Sequence, residues 1–424
     1  MTAITDLDLQ ALQGRVRRVL ITGQVMAGLG MGATLSMGAI LAGRLSGSEA
    51  WSGMAATMST LGAALAAVPL ARLAGRYGRR VSLFTGAMLA SLGAVITIAA
   101  TIIQVFPVLL VGLALIGVGT AVNLQSRFAA TDIASDATRS RDLSLVVWAT
   151  TVGAVSGPNL ITPGEALGSF LVLPELAGPF VFTLAAQLAA AVVYFLGLRP
   201  DPLVVAKDLA RDPSSAAGKN LGPAVDNLPM AQTAIVSIAL SHATMVSVMA
   251  MTPVHLVHHG ASLAIVGFTI SLHIAGMYAL APVFGIMSDR IGRIPTILVG
   301  QGILLASLLF TGFGSENELA VVMGLVLLGL GWSAATVAGS TLLSESTIIE
   351  KRASRQGISD LLMSGSGATG GALAGVVLAF LGYNGLSFVA LLLVAGVVVR
   401  IAWTGRLTTS EAPPRSAEPI TYDI

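Results

Sequence analysis

The stretch GIMSDRIGR, from Gly285 to Arg293, has a fainter copy in ARLAGRYGR, from Ala71 to Arg79. Laid over each other, Arg76 meets Arg290, Gly78 meets Gly292 and Arg79 meets Arg293. One charge differs: Gly75 stands where the second copy has Asp289. From Arg76 to Arg290 is 214 positions, and the same offset carries Arg141 onto Arg355, Gly153 onto Gly367 and Gly157 onto Gly371. An offset two residues shorter lays Gly117-Val118-Gly119 on Gly329-Leu330-Gly331. A repeat of about half the chain, written in apolar sequence, is the signature of a molecule built from two equivalent membrane bundles.

The composition agrees. Of 424 residues, 54% are hydrophobic and 10% charged, where soluble domains carry about a quarter charged residues. Apolar runs of about 20 residues are needed to cross the hydrocarbon core, and twelve can be read along the chain. Spans 1 to 6 lie near 19–42, 52–73, 81–102, 107–130, 143–163 and 177–198. Spans 7 to 12 lie near 231–253, 262–286, 295–313, 319–343, 358–380 and 386–404. The expected fold is therefore an all-α polytopic membrane protein, with twelve transmembrane helices in two pseudo-symmetric six-helix bundles. Its parts are a cytoplasmic N-terminus (1–18), a first bundle (19–198), a cytoplasmic linker (199–230), a second bundle (231–404) and a disordered cytoplasmic tail (405–424).

Orientation follows from basic residues, which collect on the cytoplasmic side. Every Lys and Arg except Arg44 falls on or near the side of the termini and the linker, with Arg127 assigned there from the end of its span. Both termini and both GR turns are thus expected in the cytoplasm, and the protein in the cytoplasmic (inner) membrane. The outer loops hold Glu49, Glu165, Glu175, Glu316 and Glu318 and are too short for an external domain. The first apolar run lacks a convincing small-residue cleavage site and reads as a retained helix.

Twelve spans, a long central loop and the turn Gly285-x-x-x-Asp289-Arg290-x-Gly292-Arg293 resemble the major facilitator superfamily (MFS), over about Arg18 to Arg406. The resemblance implies secondary transport by alternating access. It places the better-preserved turn between helices 2 and 3, whereas here that copy has lost its acid. Gly153-x-x-x-Gly157-Pro158 in span 5 resembles part of the antiporter motif of drug–proton exporters, with Ser144 and Ile161 where further glycines stand. An Arg common in helix 4 of the family is here Leu113. In the family the missing acid faces the start of helix 11, so Asp360 in span 11 is the expected substitute. Arg72, Arg76 and Arg79 are the basic residues near it, and Arg76 with Asp360 is the expected interbundle pair. Asp289 is expected to brace the second bundle, facing the start of span 5.

Ionisable or polar groups inside a membrane are costly and are functional candidates by default. Asn123 and Arg127 share a face of span 4, with Asp132 slightly around it. His242 and His273 lie mid-span on neighbouring helices; each can be a proton carrier or a hydrogen-bonded packing residue. Gln24, Asn159 and Tyr278 complete the candidate substrate or proton pathway, with Gln187 and Gln301 as weaker members. Arg290, Gly292 and Arg293 join Arg76, Gly78, Arg79, Gly153, Gly157, Pro158, Asp289 and Asp360 as candidate gating residues. Glu345, near the end of span 10, reads as solvated.

The exclusions are equally useful. With no cysteine, thiolate metal sites and disulfides are out. His255, His258 and His259 read as a polar outer loop, so no metal is expected. GSGATG (365–370) fits G-x-G-x-x-G but follows no strand and sits in an apolar span, where close helix packing explains it. GLGMG (28–32) reads the same way, there is no Walker sequence, and no catalytic grouping is evident. The expected protein is a monomeric transporter, not an enzyme. It needs no cofactor beyond a proton gradient, its partners are a small molecule and the bilayer, and nucleic acid is not among them. Proton-coupled efflux of a lipophilic or amphipathic molecule is the first reading. A proton-coupled metabolite importer and a lipid flippase are the alternatives.

Overall fold

The computed structural model describes residues 6–48, 51, 54–156, 160–212, 223 and 225–410. Inside a bilayer each N–H and C=O must be satisfied within the chain, and a helix does that locally. The regular structure described is accordingly helical. The first half holds α1 (Asp6–Ser46), α2 (Met54–Tyr77), α3 (Arg79–Ile103), α4 (Phe106–Ala129), α5 (Arg139–Ser156), α6 (Ile161–Phe170) and α7 (Gly178–Gly197). A short α8 (Pro202–Arg211) follows. The second half holds α9 (Leu228–His258), α10 (Leu263–Tyr278), α11 (Ala281–Ile291), α12 (Arg293–Phe313), α13 (Glu318–Glu345) and α14 (Ile349–Ser410).

Nine of the helical stretches described are long and apolar enough to cross a membrane. The helices differ in outline from some of the spans read in the sequence. Span 8 is divided between α10 and α11, where Pro282 enters at the start of α11. Span 5 overlaps both α5 and the first residues of α6. Spans 11 and 12 are two limbs of α14, parted at Gly382, whose backbone leaves the helix (φ 72°, ψ −178°).

The repeat is visible in the backbone. Gly78 (φ 93°, ψ 169°) and Gly292 (φ 99°, ψ 165°) take nearly the same conformation, one that residues with a Cβ rarely adopt. Packing is repeated too. Gly117 of α4 lies against the Ser59 carbonyl of α2, and Gly329 of α13 against the His273 carbonyl of α10. Small residues let these backbones approach, which is how helices associate where lipid removes the hydrophobic drive. In the first bundle α1 packs on α5 and α7, and α4 on α2 and α3. In the second, α9 packs on α14 and α13, and α13 on α10 and α12. The halves meet mainly where α2 faces α14 and where α5 faces α11. The two GR turns lie at one end of the molecule, termed the basic end.

Candidate gate and binding site

Asp360 is fully buried about three turns into α14, and its Oδ1 accepts a 2.7 Å hydrogen bond from Nη2 of Arg127 on α4. The pair joins one bundle to the other. It is held by that single charged hydrogen bond: neither Asp360 Oδ2 nor Arg127 Nε has a partner among the described residues. Arg127 Nη2 also lies 3.6 Å from the Met363 sulfur. A buried ion pair is maintained only where each charge neutralises the other, and losing one partner leaves the other stranded.

Nearer the basic end, two groups of charges repeat one pattern. Arg79 forms a two-pronged bond with Asp132 (2.8 and 3.1 Å), both residues fully buried, and donates to Gln356 Oε1 of the opposite bundle at 2.5 Å. Arg352 of α14 is also buried. In the second half Arg293 binds Glu345 at 2.6 Å, and Arg139 of α5 reaches across to the same carboxylate at 3.3 Å. Arg79, Asp132 and Arg352 are thus mirrored by Arg293, Glu345 and Arg139. In the second group Arg139, at the start of the facing helix, crosses the seam.

The seams also share neutral bonds. Ser140 Oγ is hydrogen-bonded to Ser288 Oγ (2.9 Å) and Thr341 Oγ1 (3.0 Å), and Thr131 Oγ1 to Ser344 Oγ (3.1 Å). Asp289 accepts from the backbone N–H groups of Ser140 and Arg141 at 3.1 and 2.9 Å. The carboxylate caps the first turn of α5, where N–H groups lack partners and the helix dipole favours an anion. All these cross-bundle contacts lie in the half of the molecule that bears the turns, so the basic end is closed.

Toward the middle, one face of α14 continues from Asp360 through Met363 to Gly367. A Cβ on Gly367 would lie 2.6 Å from the ring of His242. His242 Nδ1 accepts from Trp332 Nε1 at 3.0 Å, and Tyr278 meets the Trp332 ring edge-on at 5.8 Å. An indole only donates, so His242 Nδ1 carries no proton and the neutral ring bears its proton on Nε2. Arg127 acts electrostatically on both His242 and Tyr278. The group has an aromatic wall, one fixed donor and an ion pair at its inner edge.

The structure thus brings Arg127, Asp360, His242 and Tyr278 together, with half-buried Asn123 one turn from Arg127. It separates the rest. Asp132 belongs to the buried Arg79 group. Gln24 donates to Thr150 of α5 at 2.8 Å, Gln187 to the Ala27 carbonyl at 3.4 Å and Gln301 to Ser241 at 2.9 Å. His273 is fully buried and its Nδ1 donates to the Leu325 carbonyl at 2.8 Å. In the repeat it stands at the place of Ser59, whose Oγ donates to the Leu113 carbonyl. Gly153 packs on Gly28, joining α5 to α1. Gly157, Pro158 and Asn159 lie outside the described residues.

Two expectations need correction. Asp360 pairs with Arg127, not with Arg76, because Arg76 is exposed with its guanidinium over the Tyr77 ring. Glu345 is not simply solvated, since it binds Arg293 and Arg139. Expectation also passed over Arg139, Arg352, Gln356 and Trp332. The first two were within reach: an offset of one residue less than the turns' 214 lays Asp132 on Glu345 and Arg139 on Arg352. Trp332 carried no such signal, being one apolar residue in an apolar span.

Comparison with known proteins gives the family and the fold. The pattern of the Major Facilitator Superfamily fits residues 20–257 and 233–421. The uncharacterized MFS-type transporter YdeG of Bacillus subtilis is 38% identical over 396 residues, covering 92% of this chain and 90% of that protein. YddS, an uncharacterized MFS-type transporter of the same organism, is 36% identical, covering 95% and 93%. The riboflavin transporter RfnT of Brucella anthropi is 26% identical, covering 90% and 93%. Among solved structures, a bacterial homologue of the iron transporter ferroportin superposes with a TM-score of 0.69 at 18% identity, over 92% of this chain and 100% of that one.

Proposed function

This chain belongs to the major facilitator superfamily, whose members are transporters rather than enzymes, and on that premise we propose that it is a proton-coupled transporter of a small amphipathic molecule. It works by alternating access in the cytoplasmic membrane, with the basic end in the cytoplasm. The observation that carries this reading is the Arg127–Asp360 pair, buried, interbundle and held by one hydrogen bond. A proton taken up on Asp360 Oδ2 neutralises the carboxylate, weakens its hold on Arg127 and frees the bundles to part at the basic end.

His242 and His273 are poorly placed for this task. Protonating His242 would set a second N–H against that of Trp332, and His273 is engaged in helix packing. Asp360 is left as the proton carrier. Cargo bound between Tyr278, Trp332 and Asp360 competes with the proton for the same latch, and mutual exclusion of that kind gives exchange. Efflux is the direction we assign. A second reading, uptake of a planar aromatic metabolite, is favoured by the similarity to the riboflavin transporter.

Proteoliposomes with an imposed pH gradient decide between them, with riboflavin and a lipophilic fluorescent dye as probes. Dye leaving against its gradient as protons enter supports efflux, and riboflavin accumulating with protons supports uptake. Equal movement of either probe with and without the gradient would remove proton coupling.

A further inference from the structure

In the second half an acid of the turn caps the facing helix; in the first half that acid is Gly75, and a different element occupies the seam. Helix α8 lies across it. Asp201 caps α8 by accepting from Leu203 N (3.0 Å) and Val204 N (3.3 Å), and its other oxygen accepts from Arg80 N at 2.7 Å. Any side chain on Gly78 would collide with this carboxylate. Lys207 Nζ donates to the Gly75 carbonyl, in the last turn of α2, where carbonyls lack helical partners and a cation is favoured. The two bonds fix α8 to the first bundle.

The apolar face of α8 reaches the second bundle. Leu203, Val205, Ala206 and Leu209 are buried in one cluster with Ile349 and Ala353 of α14. A Cβ at Gly75 would lie 3.8 Å from that of Ala353, and Gly357 abuts Ala71. The facing helix has no use for a carboxylate here. By the offset, Ser354 and Arg355 correspond to Ser140 and Arg141, but α14 begins at Ile349. The N–H groups of Ser354 and Arg355 therefore have intrahelical acceptors. The helix is capped earlier, by Asp226 accepting from Ile348 N at 3.0 Å.

We propose that α8 is a strap of the inner gate, with Asp201 and Lys207 as the positioning residues that hold it. It replaces the ionic cap lost at Gly75 by an apolar contact with the first turns of α14, and that contact must break for the basic end to open. The inference rests on the alternating-access reading.

The test uses the full chain in oriented proteoliposomes, where the absence of native cysteine makes thiol chemistry specific. Leu124→Cys, on the central side of Arg127, reports labelling by an impermeant maleimide applied at the basic end. Asp201→Ala with Lys207→Ala should accelerate labelling at least about fivefold, the lower end of the loss expected from two hydrogen bonds; an unchanged rate overturns the strap. General loosening would also accelerate labelling, so a second variant must do the opposite. Joining Ala206→Cys to Ala353→Cys with a reducible cross-linker before the reporter is exposed should slow labelling, and reduction should restore it. Failure to slow overturns the strap. A Ser140→Cys/Ser288→Cys disulfide closes the other seam: if that too leaves labelling unchanged, alternating access itself fails, whereas slowing by the disulfide alone condemns only the strap.

Discussion

At Asp360 a single buried side chain joins one bundle to the other through Arg127. Replacing it by Asn removes the charge and keeps the shape, so D360N should lose proton-driven accumulation while retaining exchange of cargo down its own gradient. Uphill transport at the parental rate would refute its role. Removing the partner is harsher. R127A strands a buried carboxylate and should cost about 3–5 kcal/mol of stability, read as a fall in the detergent melting temperature. Asp226 offers a pH test outside the spans. Burial pushes its carboxyl up, but the Ile348 N–H, Lys351 and Arg355 outweigh this and hold it below the usual carboxylate range. A lowered folded-state value means the stabilisation is complete above the ordinary carboxylate pKa and disappears as pH falls through the lowered one. Hydrogen-exchange protection factors in the first turn of α14 should therefore be flat from neutral to mildly acid pH and fall only in stronger acid. D226N should remove the fall.

Helices here meet through glycine, and the repeat says which contacts are structural. His273 and Ser59 make corresponding hydrogen bonds to Leu325 and Leu113. H273S should accordingly keep parental transport and its proton dependence; loss of proton coupling alone would return His273 to the pathway. Between α1 and α5 the opposite holds. A Cβ on Gly153 would lie 2.4 Å from the Gly28 Cα, so Gly153→Leu must push two helices apart and should cost about 1–3 kcal/mol along with transport. The repeat and the span 5 motif singled out Gly117, Gly329 and Gly153 but not the helices that they bring together, and the break at Gly382 falls in the gap read between spans 11 and 12. The packed α8 was not legible, because a docked linker does not alter the hydrophobic period.

Across the molecule the two seams close by different means, one with Asp289 on α5 and one with α8 on α14. D289A leaves the Ser140 and Arg141 N–H groups without their acceptor and should favour the state open at the basic end. Faster thiol labelling at Leu124→Cys is the expected sign, and an unchanged rate would mean that the cap does not hold the gate. The sequence by itself determined the class of protein, the duplication, the expected orientation and the candidacy of Asp360, since hydropathy, offset and the cost of burying charge are properties of the chain alone. The tertiary structure decided the partners: Arg127 rather than Arg76, Trp332 on His242, and α8 in place of an acid at Gly75. Periodicity gives the face on which a side chain lies. Only the relative translation and rotation of packed helices fixes which charges come within hydrogen-bonding distance.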